Sequence, residues 1–169
     1  MNWNQINPED FSCSPFASIG KQWMLVAAQK PDGTVNAMTA SWGGMGVLWG
    51  KNVVFAFVRP QRYTREFIES AGRFTLSFFS EEQRPALAYL GKVSGRNEPD
   101  KICKAGLTVE MLNGAPCFAE AETTILCRTL YTGTIDPSQF LHSDLDTKWY
   151  PNKDYHIMYV AEIESIHTR

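Results

Sequence analysis

Two short stretches of this sequence carry residues with a chemistry in common. "VRPQRYTREF" (58–67) sets Arg59 and Arg62 on either side of a proline, just ahead of a helix start at about Thr64. A helix N-terminus presents unpaired N–H groups and a partial positive charge. With a hydroxyl and two guanidiniums added, such a place suits a phosphate. "GKVSGRNEPDK" (91–101) gathers Lys92, Ser94 and Arg96 around Gly95, in a turn that can aim backbone N–H groups at an anion. Taken singly, each stretch is equally readable as solvated basic surface, a capped helix in the first case and a basic loop in the second.

Other chemistries lack their signatures. The sequence holds no G-x-G-x-x-G, no G-x-x-x-x-G-K-[ST] and no G-x-S-x-G, which argues against a dinucleotide fingerprint, a Walker loop and a hydrolase elbow. No Ser/His/Asp or paired-carboxylate arrangement stands out by spacing. His156, at the entry to the last strand, is a weak catalytic candidate, and a structural role is the more ordinary reading. Cys13, Cys103, Cys117 and Cys127 are widely spaced, with no C-x-x-C. They read as reduced, mostly buried thiols of a cytoplasmic protein, and no metal site is expected.

A third stretch poses a different question. "NAMTASWGGMG" (36–46) holds three glycines and a run of small residues where a strand would carry bulk. Either a barrel bends tightly there, or a flat ligand lies against the exposed backbone.

The elements that must position these residues are mainly strands. The 169 residues suggest one domain spanning 1–169, with 44% hydrophobic and 20% charged residues, an ordinary globular profile. A net charge of -2 leaves no basic field for nucleic acid. No apolar run approaches the roughly 18 residues of a membrane-spanning helix, and the N-terminus does not read as a signal peptide. Strands are expected at 22–30 and 34–42 around the turn "PDGT", at 52–58 and 73–79, and at 121–135 and 155–167. In 73–79, Phe74, Leu76 and Phe78 alternate with Thr75, Ser77 and Phe79. Short helices are expected at 64–71, with Thr64 as N-cap and Gly72 as stop, at about 81–90 with a capping-box spacing from Ser80 to Gln83, and at 99–106. Pro85 allows the second to begin late. The segment 136–154 shows no periodicity but is rich in aromatics, as a functional or interfacial loop would be.

Together, "NAMTASWGGMGVLWGKNVVFAFVRPQRYTREFIE", "FTLSFF", "GKVSGR" and "KDYHIMYVAEI" resemble the flavin reductase-like proteins of the FMN-binding split-barrel superfamily, in particular its flavoredoxin-like branch. The resemblance runs from about residue 15 to 167 in the expected order. It implies an antiparallel six-stranded split β-barrel with a Greek-key element and a few short flanking helices. It further implies FMN as cofactor, NAD(P)H as co-substrate and a flavin reductase activity. By the same resemblance Asn36, Met38, Thr39, Ala40, Ser41 and Trp42 would line the isoalloxazine, with Ala40 small because the ring lies against it. Arg59, Arg62, Tyr63 and Thr64 would hold the phosphate, and Lys92 and Ser94 would reach the cofactor from their loop. A homodimer with the flavin near the subunit interface is implied, and a redox partner protein is conceivable. Two other readings stay open: an FMN electron carrier of flavoredoxin type without its own NAD(P)H activity, and a non-catalytic split-barrel binding module.

Overall fold

The computed structural model describes residues 2–169. Its strands and helices, in chain order, are β1 (Asn4–Ile6), α1 (Pro15–Ala17), β2 (Met24–Gln29), β3 (Val35–Ala40), β4 (Gly43–Leu48), β5 (Lys51–Val58), α2 (Thr64–Ala71), β6 (Arg73–Phe78), α3 (Arg84–Lys92), α4 (Lys101–Lys104), β7 (Val109–Leu112), β8 (Ala115–Phe118), β9 (Thr123–Thr134), α5 (Ser143–Trp149) and β10 (Ile157–Thr168). One antiparallel sheet runs β3-β2-β6-β9-β10-β5-β4, with β1 added against β10, and β7–β8 form a separate hairpin.

The six-stranded barrel emerges when β3 and β4 are followed as one strand. β3 pairs with β2 up to Ala40↔Met24, and two residues later β4 pairs with β5 from Gly43↔Ala56. The bend at Ser41 and Trp42 thus hands a single chain from one sheet edge to the other and closes the ring. β2, β3–β4 and β5 follow each other in space, and β6 returns beside β2, which is the Greek-key order.

Strand alternation sorts side chains into two cores. Met24, Val26 and Ala28 of β2, and Phe74, Leu76 and Phe78 of β6, point into the barrel with Val54, Ala56 and Tyr159. Leu25, Ala27 and Ala37 point outward and are covered by Leu87 and Leu90 of α3, Ile102 of α4 and Phe118 of β8. The small Ala27 and Ala37 let α3 approach closely. Thr75 and Ser77 are buried rather than solvated: Thr75 donates to the Pro116 carbonyl at 2.6 Å, and Ser77 pairs with Thr124 at 3.1 Å. An unpaired hydroxyl there would be costly, and the β7–β8 hairpin satisfies Thr75 while neighbouring β9 satisfies Ser77.

The helices follow their local chemistry with two corrections. α2 ends at Gly72, whose φ of 66° closes the helix through its N–H to Ile68 O at 2.8 Å. Burial of Phe67 and Ile68 holds it down, at about 1.5–3 kcal/mol for each side chain. Thr64 is not the N-cap; Tyr63 occupies that position without a side-chain cap bond, and Thr64 is the first helical residue. The expected box between Ser80 and Gln83 does not form either, because a 3-10 turn over Glu81–Gln83 precedes α3. Pro85 lies in the first turn of α3, where its missing N–H removes no helix bond.

The segment 136–154, expected as an aperiodic loop, contains α5. Of the four free thiols only Cys117 and Cys127 are buried; Cys13 is half-buried and Cys103 exposed, against the expectation of mostly buried cysteines. No helix among the described residues is long and apolar enough to cross a membrane.

Candidate functional site

The bend from β3 to β4 explains the small residues of 36–46. A Cβ at Gly43 would stand 2.7 Å from the Phe55 carbonyl oxygen, so the handover between strands requires glycine. Met38 and Ala40 point into the barrel core, where Ala40 is small because the interior is packed. The Ala40 methyl thus packs with the interior cluster, while the residue also borders the larger cavity described next. Thr39 points the other way and donates to Leu87 O of α3 at 2.5 Å. β3 is a sheet edge, so its outer backbone groups have no strand partner.

Two cavities meet along this edge. The larger, about 320 Å³, runs along Met38–Trp42 and is bounded by Phe57, Arg59, Trp149 and His156. The smaller, about 190 Å³, is walled by Asn36, Tyr63, Thr64, Lys92–Gly95 and Lys101. Met38 and Arg62 line both.

The smaller chamber has the charge and donors to take an anion. Arg62 donates to Gly91 O at 2.6 Å, and Lys101, only 2% exposed, donates to Val93 O at 2.9 Å. Both partners are neutral carbonyls at the end of α3, and no carboxylate lines this chamber among the described residues. Burial lowers the Arg62 guanidinium, and burial followed by the nearby Arg62 charge brings Lys101 down to about 8. A buried cation beside a half-buried one, without a counter-charge, is costly unless an anion joins them. Asn36 donates its amide to the Thr64 hydroxyl at 2.8 Å, which leaves the Thr64 proton to point at such an anion. A Cβ at Gly95 would run into Asn36 Oδ1, so glycine lets the 93–96 loop close over this pair.

Arg59 stands apart from that group. It donates to Asp154 Oδ2 at 2.5 Å and to Trp149 O at 2.9 Å, and Gln61 reaches the same Asp154 oxygen at 2.7 Å. Its charge is compensated, and it anchors the loop after α5 to the wall of the larger chamber. Tyr63 borders the smaller chamber beneath the Arg96 guanidinium, 4.4 Å from its ring.

Aromatic rings form the far wall of the larger chamber. Trp42 meets Trp149 edge-on at 5.0 Å and His156 at 4.8 Å. His156 Nδ1 lies 2.9 Å from the Tyr150 hydroxyl. Burial first, then Arg59, push the imidazole down to about 4 against a weaker pull from Asp154, so it is neutral at physiological pH.

Every residue expected at the site lines one of the two chambers, although Asn36 stands in the smaller one beside Thr64 rather than along the larger. Sequence reasoning missed Gln61, Lys101, Phe57 and Trp149. Lys101 had a signal in hindsight, as a lysine inside a four-residue helix that is half apolar. Trp149 was visible only as one aromatic of an aperiodic segment.

A family model for the flavin reductase like domain matches residues 16–169. An uncharacterised protein of Aeropyrum pernix is 31% identical over 104 residues, a match spanning 60% of this chain and only 39% of that relative. Among solved structures, an FMN-binding domain of a flavin reductases-like enzyme from Shewanella baltica superposes with a TM-score of 0.71 at 16% identity, covering 99% of this chain and 77% of that one. Flavoredoxin of Desulfovibrio vulgaris gives 0.68 at 24% identity, covering 87% and 69%. The styrene monooxygenase flavin reductase of Pseudomonas putida gives 0.64 at 18%, covering 87% and 79%. These likenesses agree on a split-barrel fold, and with a model match over most of its length the chain belongs to the flavin reductase-like domain family.

Proposed function

We propose that this protein binds FMN across the two chambers and passes hydride from NAD(P)H to the flavin. The observation that carries the reading is the pair of cations, half-buried Arg62 and buried Lys101, with carbonyl partners only, joined to a flat cavity along an open strand edge. Bound there, the flavin would supply the hydride-accepting centre. Arg62, Lys101 and the Thr64 hydroxyl hold the phosphate, with Lys92 and Ser94 beside them. Backbone groups of Met38–Ser41 orient the ring through its polar rim. Trp42 and Trp149 keep water from the outer side, and neutral His156 offers a hydrogen-bonding edge without adding charge.

The same aromatic wall favours a second reading, an FMN electron carrier of flavoredoxin type, because a nicotinamide must share the outer chamber with Trp42 and Trp149. Anaerobic addition of NADH or NADPH to the FMN-loaded protein decides between them. Rapid bleaching of the visible flavin band is the expected result. A band that stays unbleached by either nucleotide but is bleached by dithionite overturns the reductase in favour of the carrier.

A further inference from the structure

Tyr150 is 3% exposed and sits at the end of α5, its ring packed against Phe140, Tyr155 and the Arg59 guanidinium. Its hydroxyl lies 2.9 Å from His156 Nδ1, its one hydrogen-bond partner among the described residues. A buried phenol proton needs an acceptor, and the ring nitrogen is the one in reach, so the hydroxyl donates to Nδ1. Burial holds the phenol above its ordinary value, so it keeps that proton. An imidazole that accepts at Nδ1 must carry its own hydrogen at Nε2. Nε2 has no protein partner among the described residues, and His156 borders the larger chamber.

We propose that Tyr150 is a positioning residue that locks His156 in the Nε2–H tautomer, so that the chamber presents a neutral N–H donor to an acceptor oxygen of its ligand. Resting on the reductase reading above, that oxygen is the carboxamide carbonyl of the nicotinamide. The groups around the imidazole fit this role. Arg59, from the end of β5, disfavours a second proton on the ring; Asp154, before β10, is held by Arg59 and Gln61; Trp42 and Trp149 bring no charge. His156 thus donates to an oxygen rather than accepting a proton from the ligand.

The test is the nitrogen chemical shifts of His156 in the full-length, FMN-loaded protein at neutral pH, for wild type and Tyr150→Phe. Wild type is expected as Nε2–H. Tyr150→Phe should mix the two tautomers and raise the protonation midpoint of His156 by about half to one pH unit, the size of one lost hydrogen bond. The KM for NADH or NADPH should rise about five- to tenfold, with a smaller change in kcat. His156→Gln, whose amide can present an N–H near the Nε2 position, should recover most of the affinity that His156→Phe loses. An Nδ1–H tautomer in wild type overturns the proposal, as does a tautomer that ignores Tyr150→Phe or an equal loss in His156→Gln and His156→Phe. If Tyr150→Phe does not fold, the wild-type tautomer and the two His156 variants decide. Failure of both nucleotides to bleach the flavin removes the reductase reading, while the tautomer measurement still stands or falls by itself.

Discussion

Arg62 and Lys101 face one small chamber from different elements, the turn before α2 and the short α4, and each is bonded only to backbone carbonyls at the end of α3. The pair is therefore a positive charge without a protein counter-charge, the reason for the phosphate role proposed above. In the ligand-free protein the cost shows in Lys101, lowered from 10.5 to about 8 by burial and by Arg62.

FMN affinity should accordingly fall as pH rises through about 8, where Lys101 loses its proton in the ligand-free protein. Riboflavin, lacking the phosphate, should show no such fall. Lys101→Met should weaken FMN by about ten- to a hundredfold, the range of one charge-assisted hydrogen bond, and abolish the pH dependence. The check is flavin fluorescence titration across this pH range. A Lys101→Met affinity equal to wild type would place the phosphate elsewhere. For stability the sign is opposite to a paired lysine: the depressed folded value means ligand-free stability rises as pH climbs from about 8 toward the unfolded value of 10.5.

His156 should make the protein lose stability in mild acid. Its folded value of about 4 lies below the ordinary 6.5, so the unfolded chain binds the proton first as pH falls through that window. The stabilisation present above 6.5 is lost progressively down to about 4, at most about 3 kcal/mol. Urea unfolding at several pH values measures it, and His156→Gln should flatten the slope within this window.

At the bend, Gly43→Ala should destabilise by about 1–3 kcal/mol, because the new methyl meets the backbone oxygen of Phe55. Gly44→Ala, next door, meets only the Phe55 ring at an ordinary 3.6 Å and should stay within about 0.5 kcal/mol. Thermal melts of the two variants side by side provide the comparison.

Ala40→Val should act on the barrel rather than on the cofactor. Its methyl belongs to the interior cluster, so overpacking is expected to lower ligand-free stability by about 1–3 kcal/mol. Flavin occupancy in the molecules that remain folded should be retained. Unchanged stability with lost flavin would mean that the side chain faces the ring.

Period-two patterning placed the long strands and the two faces of β6 correctly, because Phe, Leu and Val must be buried wherever the sheet twists. It missed the reason for the bend, since two residues of unpaired backbone leave no periodic trace. α5 escaped because His142 makes no capping bond and none of its seven residues is buried, so it has no apolar stripe to read. The cationic half of the site was legible at Arg62, Thr64, Lys92 and Ser94, where phosphate-binding chemistry has a local pattern. Lys101 was not, because its burial and its lack of a carboxylate are consequences of long-range packing. Arg59 read like Arg62 in sequence, and Asp154, distant along the chain, separates their roles.

Because β3 and β4 are one bent strand, the hairpins on either side of it share a segment and are made of contacts close in sequence. Such contacts form fast, since little chain must be looped to make them. During synthesis the floor of the cavity can thus take shape before β9 and β10 emerge to complete the ring. The anion chamber, complete by Lys101, follows next, and the wall of Trp149, Tyr150 and His156 arrives last. A phosphate-bearing cofactor is therefore expected to find its anchoring half on a chain still lacking its C-terminal strand, and to template the final closure from within.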